Sequence, residues 1–442
     1  MSWQCISDGR MDGLKVIHLT DLGSDHQMIF VQLIKQGHHP HTRFQFDGRW
    51  NSNAEAMDII QMAWSKPTCG SIQFRAFNQL KIVRHNLVDW ARVGTSNSAR
   101  CIRELRTAIE DLREAALVDW DAIRQLERDL STAYIKEECF WRQKSRVGWL
   151  WEGDANTNLF HRMVLRRRRF NRLRGLRDDA GTLHHEEEAM AGIAIPFYQS
   201  IFTSNNVHAS SYVDSLGISS RVTREMNDAL IAPVSALEVK EAVFRIGSHQ
   251  APGSDGFTAA FFQAHWEVVG PLITTTVLNF FSSDRLLHSF NHTLISLLPK
   301  VLNADPMRQI RPIGLCHVFY KIIAKLMAAR LSVILPDVVS STQNGFVRDR
   351  SITDNILLGQ EVMQFLKTKV HGRDKWMALK LDMEKAYDRV EWSFLLLIME
   401  QMGFCYEWRR WINACISTVS FSVLINGHSH GYFKTPTGFA SR

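Results

Sequence analysis

From Thr95 to Val147 the chain contains neither glycine nor proline. A stretch of that length has no residue that readily turns the backbone and none that breaks a hydrogen-bond ladder, so helix is the state that satisfies its N–H and C=O groups. Within it Ile102, Leu105, Ile109, Leu112 and Leu117 recur at helical spacing, while Arg and Glu cover the other faces. The pattern predicts one or two long helices, packed as an antiparallel hairpin and acting as a structural spacer. With 442 residues and 45% hydrophobic content, the rest of the chain can supply two or three domains with substantial cores. Charged residues at 22% and 13 tryptophans argue against wholesale disorder.

Before the spacer, the first 35 residues read as two short strands, LKVIHL and HQMIFVQLI, around the turn DLGSD. Polar and aromatic-rich sequence follows to about Gly94. After the spacer comes WLWEGDANTNLFHRMVLRRRRFNRLRGLRDDAG, with eight arginines and no acid between His161 and Arg177. Arg166, Arg167, Arg168 and Arg169 repel one another without a counter-anion. Phe160, His161 and Phe170 lie among them, a mixture of cation and ring that suits phosphate and base contact. A solvated charged face is the competing reading, and the residues alone leave both open. The net charge of +7 gains meaning only through this concentration.

Seven cysteines are scattered without a C-x-x-C pair, which fits reduced thiols better than a disulfide frame or a zinc site. The amino end lacks the apolar core of a signal peptide, and no run approaches the ~18 apolar residues of a membrane span. These features lead to the expectation of a soluble intracellular chain with no membrane partner.

Four stretches of the C-terminal half invite a joint reading. QAPGSDGFTAAFF (Gln250 to Phe262) is a loop with two turn signals that enters an apolar helix. LISLLPKVLNADPMRQIRPIGL offers two strands, one ending at Lys300 and one starting at Arg311; a hairpin would bring those cations together as a triphosphate clamp. Two solvated cations at strand ends are the plainer alternative. STQNGFVRDRSITDNIL is a polar loop leading into a helix. In WMALKLDMEKAYDRVEW, strand alternation puts Met377, Leu379, Leu381 and Met383 on one face and Asp382 on the other. Asp382 is then either a turn-capping carboxylate or a metal ligand at the end of a buried strand.

APGSDGF, LPK…RPIGL, YKIIAKLMAARL, QNGFVRDRSITDNIL and LDMEKAYDRVEW, in this order and spacing, resemble the reverse transcriptase of LINE-type (non-LTR) retrotransposons, most nearly the plant forms. The resemblance covers roughly Trp141 to Asn426. It implies an α+β fold: right-hand polymerase fingers and a partial palm, an antiparallel sheet with helices, preceded by a long α-helical linker. The implied domains are 1–35, a C-terminal remnant of an apurinic-type endonuclease; 36–230, a helical and basic linker; and 231–442, a partial reverse transcriptase domain with fingers to about 375 and an incomplete palm from 376. The implied activity is RNA-directed DNA polymerisation, with an RNA template, a DNA primer and deoxynucleoside triphosphates as partners and Mg²⁺ as cofactor. Asp382 matches the first metal ligand, with the Met383 carbonyl beside it, and Tyr387 matches the aromatic residue that excludes a ribose 2′-hydroxyl. Lys300 and Arg311 match the residues that hold the triphosphate, and Asp388 is a supporting neighbour. Asp25 and His26 match a buried pair of the endonuclease.

The resemblance also marks departures. VLINGHSHGYF reads as a hairpin turning at Asn426-Gly427, but Ala440, Ser441 and Arg442 do not continue the family pattern. No Tyr-Ala-Asp-Asp hairpin or thumb follows, so the expectation is a chain without polymerase activity as given. The alternative is a non-catalytic nucleic-acid-binding remnant that keeps the basic linker and fingers.

Overall fold

The computed structural model describes residues 14–19, 28–33, 43–93, 98–114, 119–145, 157–203, 213–369, 376–383 and 385–434. Two compact units are present, Met1–Arg43 and Phe44–Arg442. In the first, β1 (Leu14–Leu19) pairs antiparallel with β2 (Met28–Leu33), Leu14 opposite Leu33 and Leu19 opposite Met28, as the two apolar runs predict.

The second unit begins with a feature the sequence reading left as irregular. Asn53 caps α1 (Ala54–Ser65) by accepting from the Ala56 N–H, and α2 (Ile72–Val93) follows. Ile60, Ala63 and Trp64 of α1 and Leu80, Val83 and Leu87 of α2 enter one core cluster with Phe257, Phe261, Phe262, Val277 and Phe319 from the C-terminal half. Residues 54–93, read as linker, thus share a core with the segment read as fingers.

The glycine- and proline-free stretch folds as predicted into α3 (Ser98–Glu114) and α4 (Trp120–Ser145). Ser98 donates to Glu137 and Arg113 to Glu127, and Arg106 lies over the Tyr134 ring, so the two helices run antiparallel. Ile102, Ile109, Ile123 and Ala133 fill the seam between them. The arginine run lies on α5 (Thr157–Asn171), which packs on α4. A small hairpin of β3 (Leu176–Arg177) and β4 (Leu183–His184) leads to α6 (Glu187–Ile201).

Next come α7 (Arg224–Ile231), α8 (Ala236–Phe244), α9 (Ala259–Ala264) and α10 (Trp266–Ser283), all contributing to the first core. Ser235 and Glu238 form a reciprocal capping box at the start of α8. Strands β5 (His292–Pro299) and β6 (Ile310–Leu315) precede α11 (Val318–Val338) and α12 (Ile352–Thr368). A short 3-10 turn at Ala386–Asp388, α13 (Trp392–Gln401) and α14 (Tyr406–Ser417) then lead to β7 (Ser420–Ile425) and β8 (His428–Lys434).

The principal sheet has the order β6-β5-β7-β8. Its β5–β6 and β7–β8 pairs are antiparallel, but β5 and β7 run parallel, with Ile295 opposite Val423. The expected antiparallel sheet is therefore a mixed one. The connection from β6 to β7 includes four helices among the described residues, long enough to return the chain to the same end before β7 starts. One sheet face, with Ile295, Leu297, Ile310, Phe421 and Val423, packs on Met190, Ala194 and Tyr198 of α6 as a second core.

A second correction concerns residues 376–383. They form no strand, and Met377, Leu379, Leu381 and Met383 are all largely exposed, Met377 at 88%. A strand is stabilised by a partner ladder and a covered face. None of the described strands pairs with this segment, so its alternation of apolar residues has nothing to bury against.

Candidate nucleotide and nucleic-acid site

The hairpin of β5 and β6 brings the two predicted cations together. Leu298 pairs with Arg311 and Pro299 with Ile310, and the Lys300 N–H donates to the Gln309 carbonyl at 2.8 Å. Cross-strand partners share a face, so Lys300, Leu298, Gln309 and Arg311 point the same way, with Lys300 and Arg311 as diagonal neighbours. Both are exposed, and Lys300 Nζ donates to the Arg308 carbonyl at 3.1 Å. The opposite face of the hairpin is apolar, with Ile295, Leu297 and Ile310 buried against α6. A rigid, one-side-buried ribbon carrying two adjacent exposed cations can receive a polyanion.

Asp382 and Met383 lie in the exposed 376–383 segment. Asp382 is exposed and not at the end of a buried strand, for the reason given above. Among the described residues, no group of three or more His, Cys, Asp or Glu side chains is arranged to hold a metal ion. Tyr387 lies in the 3-10 turn, and its side chain is outside the described residues, as are Asp25 and His26.

The turn after Asp382 is held by α6, a support that sequence reasoning missed. Lys385 takes a left-handed backbone conformation, φ 53°, and its ammonium sits 4.0 Å from the centre of the Phe197 ring. Asp388 is buried; burial first, and the Asp388 charge second, push the Tyr198 hydroxyl well above its ordinary pKa. Phe197 and Tyr198 precede this turn by nearly two hundred positions, so no local pattern could reveal the contact.

Two other motifs meet at the start of α11. Gly253 lies against the backbone of Cys316 and His317, and Lys321 donates to the Ala251 carbonyl at 2.8 Å. His317 Nδ1 and Asp255 Oδ2 are 3.1 Å apart, both buried, facing each other without hydrogen-bond alignment. The APGSDGF loop is thereby fixed to the segment that follows β6.

On α5, Arg166, Arg168 and Arg169 are exposed and Arg167 half-buried. Of the rings proposed to accompany them, Phe160 is fully buried and serves the core, a correction imposed by its inward position on the helix. His161 and Phe170 are exposed, and His161 meets the Trp141 ring edge-on at 4.5 Å. The predicted Asn426-Gly427 turn forms, with Asn426 at φ 49°. The Asn426 amide clasps the backbone of Leu173, accepting from its N–H at 3.0 Å and donating to its carbonyl at 3.1 Å, which ties the end of the basic segment to the sheet.

Among the described residues, no helix is long and apolar enough to cross a membrane. Residues 299–440 match the family described as reverse transcriptase (RNA-dependent DNA polymerase), an interval that includes Lys300, Arg311, Asp382 and Tyr387. That family generally uses divalent metal ions and works on nucleic-acid templates with nucleotide substrates. The chain is also 25% identical over 307 residues to an uncharacterized 149 kDa protein of transposon TX1 from Xenopus laevis, an alignment covering 69% of this chain. The same alignment spans 23% of that relative's length. The hairpin cations lie inside an interval that matches a reverse-transcriptase family, and the chain is similar to a transposon protein, two findings that agree with the order of the motifs.

Proposed function

We propose that residues 231–442 carry the fingers and part of the palm of an RNA-directed DNA polymerase, and that Lys300 and Arg311 bind the triphosphate of an incoming deoxynucleotide. The observation that carries this is their diagonal placement on the exposed face of the β5–β6 hairpin. Asp382, with the Met383 carbonyl, is the proposed contact for Mg²⁺, which commonly takes one or two carboxylates and completes its shell with water and substrate phosphates. When bound, such an ion activates the primer 3′-oxygen and stabilises the leaving pyrophosphate. The ring of Tyr387 is proposed to lie against the sugar and exclude a 2′-hydroxyl. The turn at 385–388, held through Lys385 on the Phe197 ring, would set the position of the Tyr387 ring relative to Asp382.

Titration of a fluorescent deoxyadenosine triphosphate in the presence of Mg²⁺ tests the reading. Lys300→Gln and Arg311→Gln each remove a charge-assisted contact of about 1.5–3 kcal/mol, weakening binding roughly ten- to hundredfold. Unchanged affinity in both variants would sink the assignment.

A second reading, a non-catalytic nucleic-acid-binding protein, is favoured by one observation: none of the Arg166, Arg167, Arg168 and Arg169 guanidiniums has an ion-pair partner among the described residues. Exposed like charges adjacent on one helix are stabilised by an external polyanion. Neutralising about four phosphates gives a salt slope of roughly −3 to −4 in log units. Alanine at all four positions should flatten that slope; the same slope in the variant would reduce the run to a solvated face.

A further inference from the structure

The foot of the arginine helix holds a cluster that the run itself does not explain. Lys144, near the end of α4, places its ammonium 3.7 Å from the centre of the Phe140 ring and 5.8 Å from that of Trp141. The Arg49 guanidinium lies on the same Phe140 ring at 4.2 Å. Arg168 of α5 and Arg49 both act on Lys144 as like charges. His161 of α5 abuts Trp141. Three elements thus deliver cations and rings to one place: the 3-10 turn Gly48–Ser52, α4 and α5.

Two carboxylates also face Lys144, and both are committed elsewhere. Asp47 grips the Arg49 guanidinium through both oxygens, at 2.6 Å and 3.0 Å. Glu137 accepts from the Ser98 hydroxyl and from Trp141 Nε1. Arg49, Lys144 and Arg168 against Asp47 and Glu137 leave a local excess of one positive charge, with Arg166, Arg167 and Arg169 adding to it along α5. The Lys144 ammonium has no carboxylate within ion-pairing distance among the described residues.

We propose that Lys144 holds one backbone phosphate of a single-stranded nucleic acid where α4 packs on the basic helix α5, with the edge of the Trp141–His161 pair beside the adjoining base. The proposal deepens the nucleic-acid reading of α5 and rests on it. The chemistry is that of single-strand grooves, where a cation takes the phosphate and a ring takes the neighbouring base. The electrostatic state of the free protein supports it. Although Lys144 as a residue is exposed, crowding of its ammonium by protein, and secondarily the Arg168 charge, lower its pKa to about 8. Asp47 and Glu137 oppose that shift and are outweighed. A phosphate at the Lys144 ammonium reverses the balance, so binding draws a proton onto Lys144.

The linkage has a definite sign. Bound phosphate favours the ammonium, so affinity is full below the free-state value of about 8 and falls as pH rises through it, by at most about tenfold per unit for one proton. Fluorescence anisotropy with a labelled oligothymidylate, from about pH 7 to about pH 9.5, reads this directly. The wild-type chain should lose affinity several-fold across the range. Lys144→Arg, charged throughout, should keep the low-pH affinity and abolish the fall, whereas Lys144→Gln should bind weakly at every pH. Circular dichroism establishes that each variant is folded. A pH dependence that survives in Lys144→Arg, or wild-type affinity in Lys144→Gln, overturns the assignment. The salt slope of the four-alanine variant separately decides the arginine run, so the two readings fail by different measurements.

Discussion

Gly253→Ala isolates the packing that joins the APGSDGF loop to the segment following the β5–β6 hairpin. A methyl at this position would lie 2.6 Å from His317 N, 2.7 Å from His317 Cα and 2.8 Å from the Cys316 carbonyl carbon. Carbon contacts are comfortable at about 3.5–4.0 Å, so the two segments must separate by roughly 1 Å. All three obstacles are backbone atoms, and Cys316 and His317 are themselves buried, so no flexible side chain can yield. Overpacking of this kind costs about 1–3 kcal/mol, and the rigid wall places Gly253→Ala toward the upper end. Urea unfolding followed by tryptophan fluorescence measures it. Gly192→Ala is the matched control: it lies inside α6 with nothing within 4 Å of the new methyl, and should stabilise by about 0.5–1 kcal/mol through helix propensity. Because displaced residues 316–317 follow directly on β6, nucleotide binding through Arg311 should weaken as well. A Gly253→Ala chain as stable as wild type would refute the close-approach argument.

Asn426→Ala removes both bonds to Leu173 and puts alanine in a left-handed turn position, which should cost about 2–4 kcal/mol and weaken oligonucleotide binding by freeing the end of the basic segment; an unchanged melting temperature would count against it. Tyr198→Phe removes a buried hydroxyl that has no hydrogen-bond partner among the described residues, and should be neutral or stabilising by about 1 kcal/mol in the same urea assay. A loss of more than that would mean the hydroxyl serves Asp388 directly.

Local chemistry decided much of this protein. The helical character of the glycine- and proline-free stretch and the tight turn at Asn426-Gly427 were set locally, because periodicity and turn preference act over a few residues. The approach of Lys300 to Arg311 was legible for the same reason, since a single connection closes that hairpin. Helices α1 and α2 were missed because their apolar faces are interrupted by polar and aromatic residues, and only the partners Phe257, Phe261 and Phe319 make those faces a core. Tertiary structure alone decided that β7 enters parallel to β5, that Phe160 points inward, and that Phe197 meets Lys385 in the turn beyond Asp382. It also decided that residues 376–383, with the alternation of a buried strand, stay uncovered. Alternation states which side chains could share a face; burial requires a second surface, and that surface is set by segments far away in the chain.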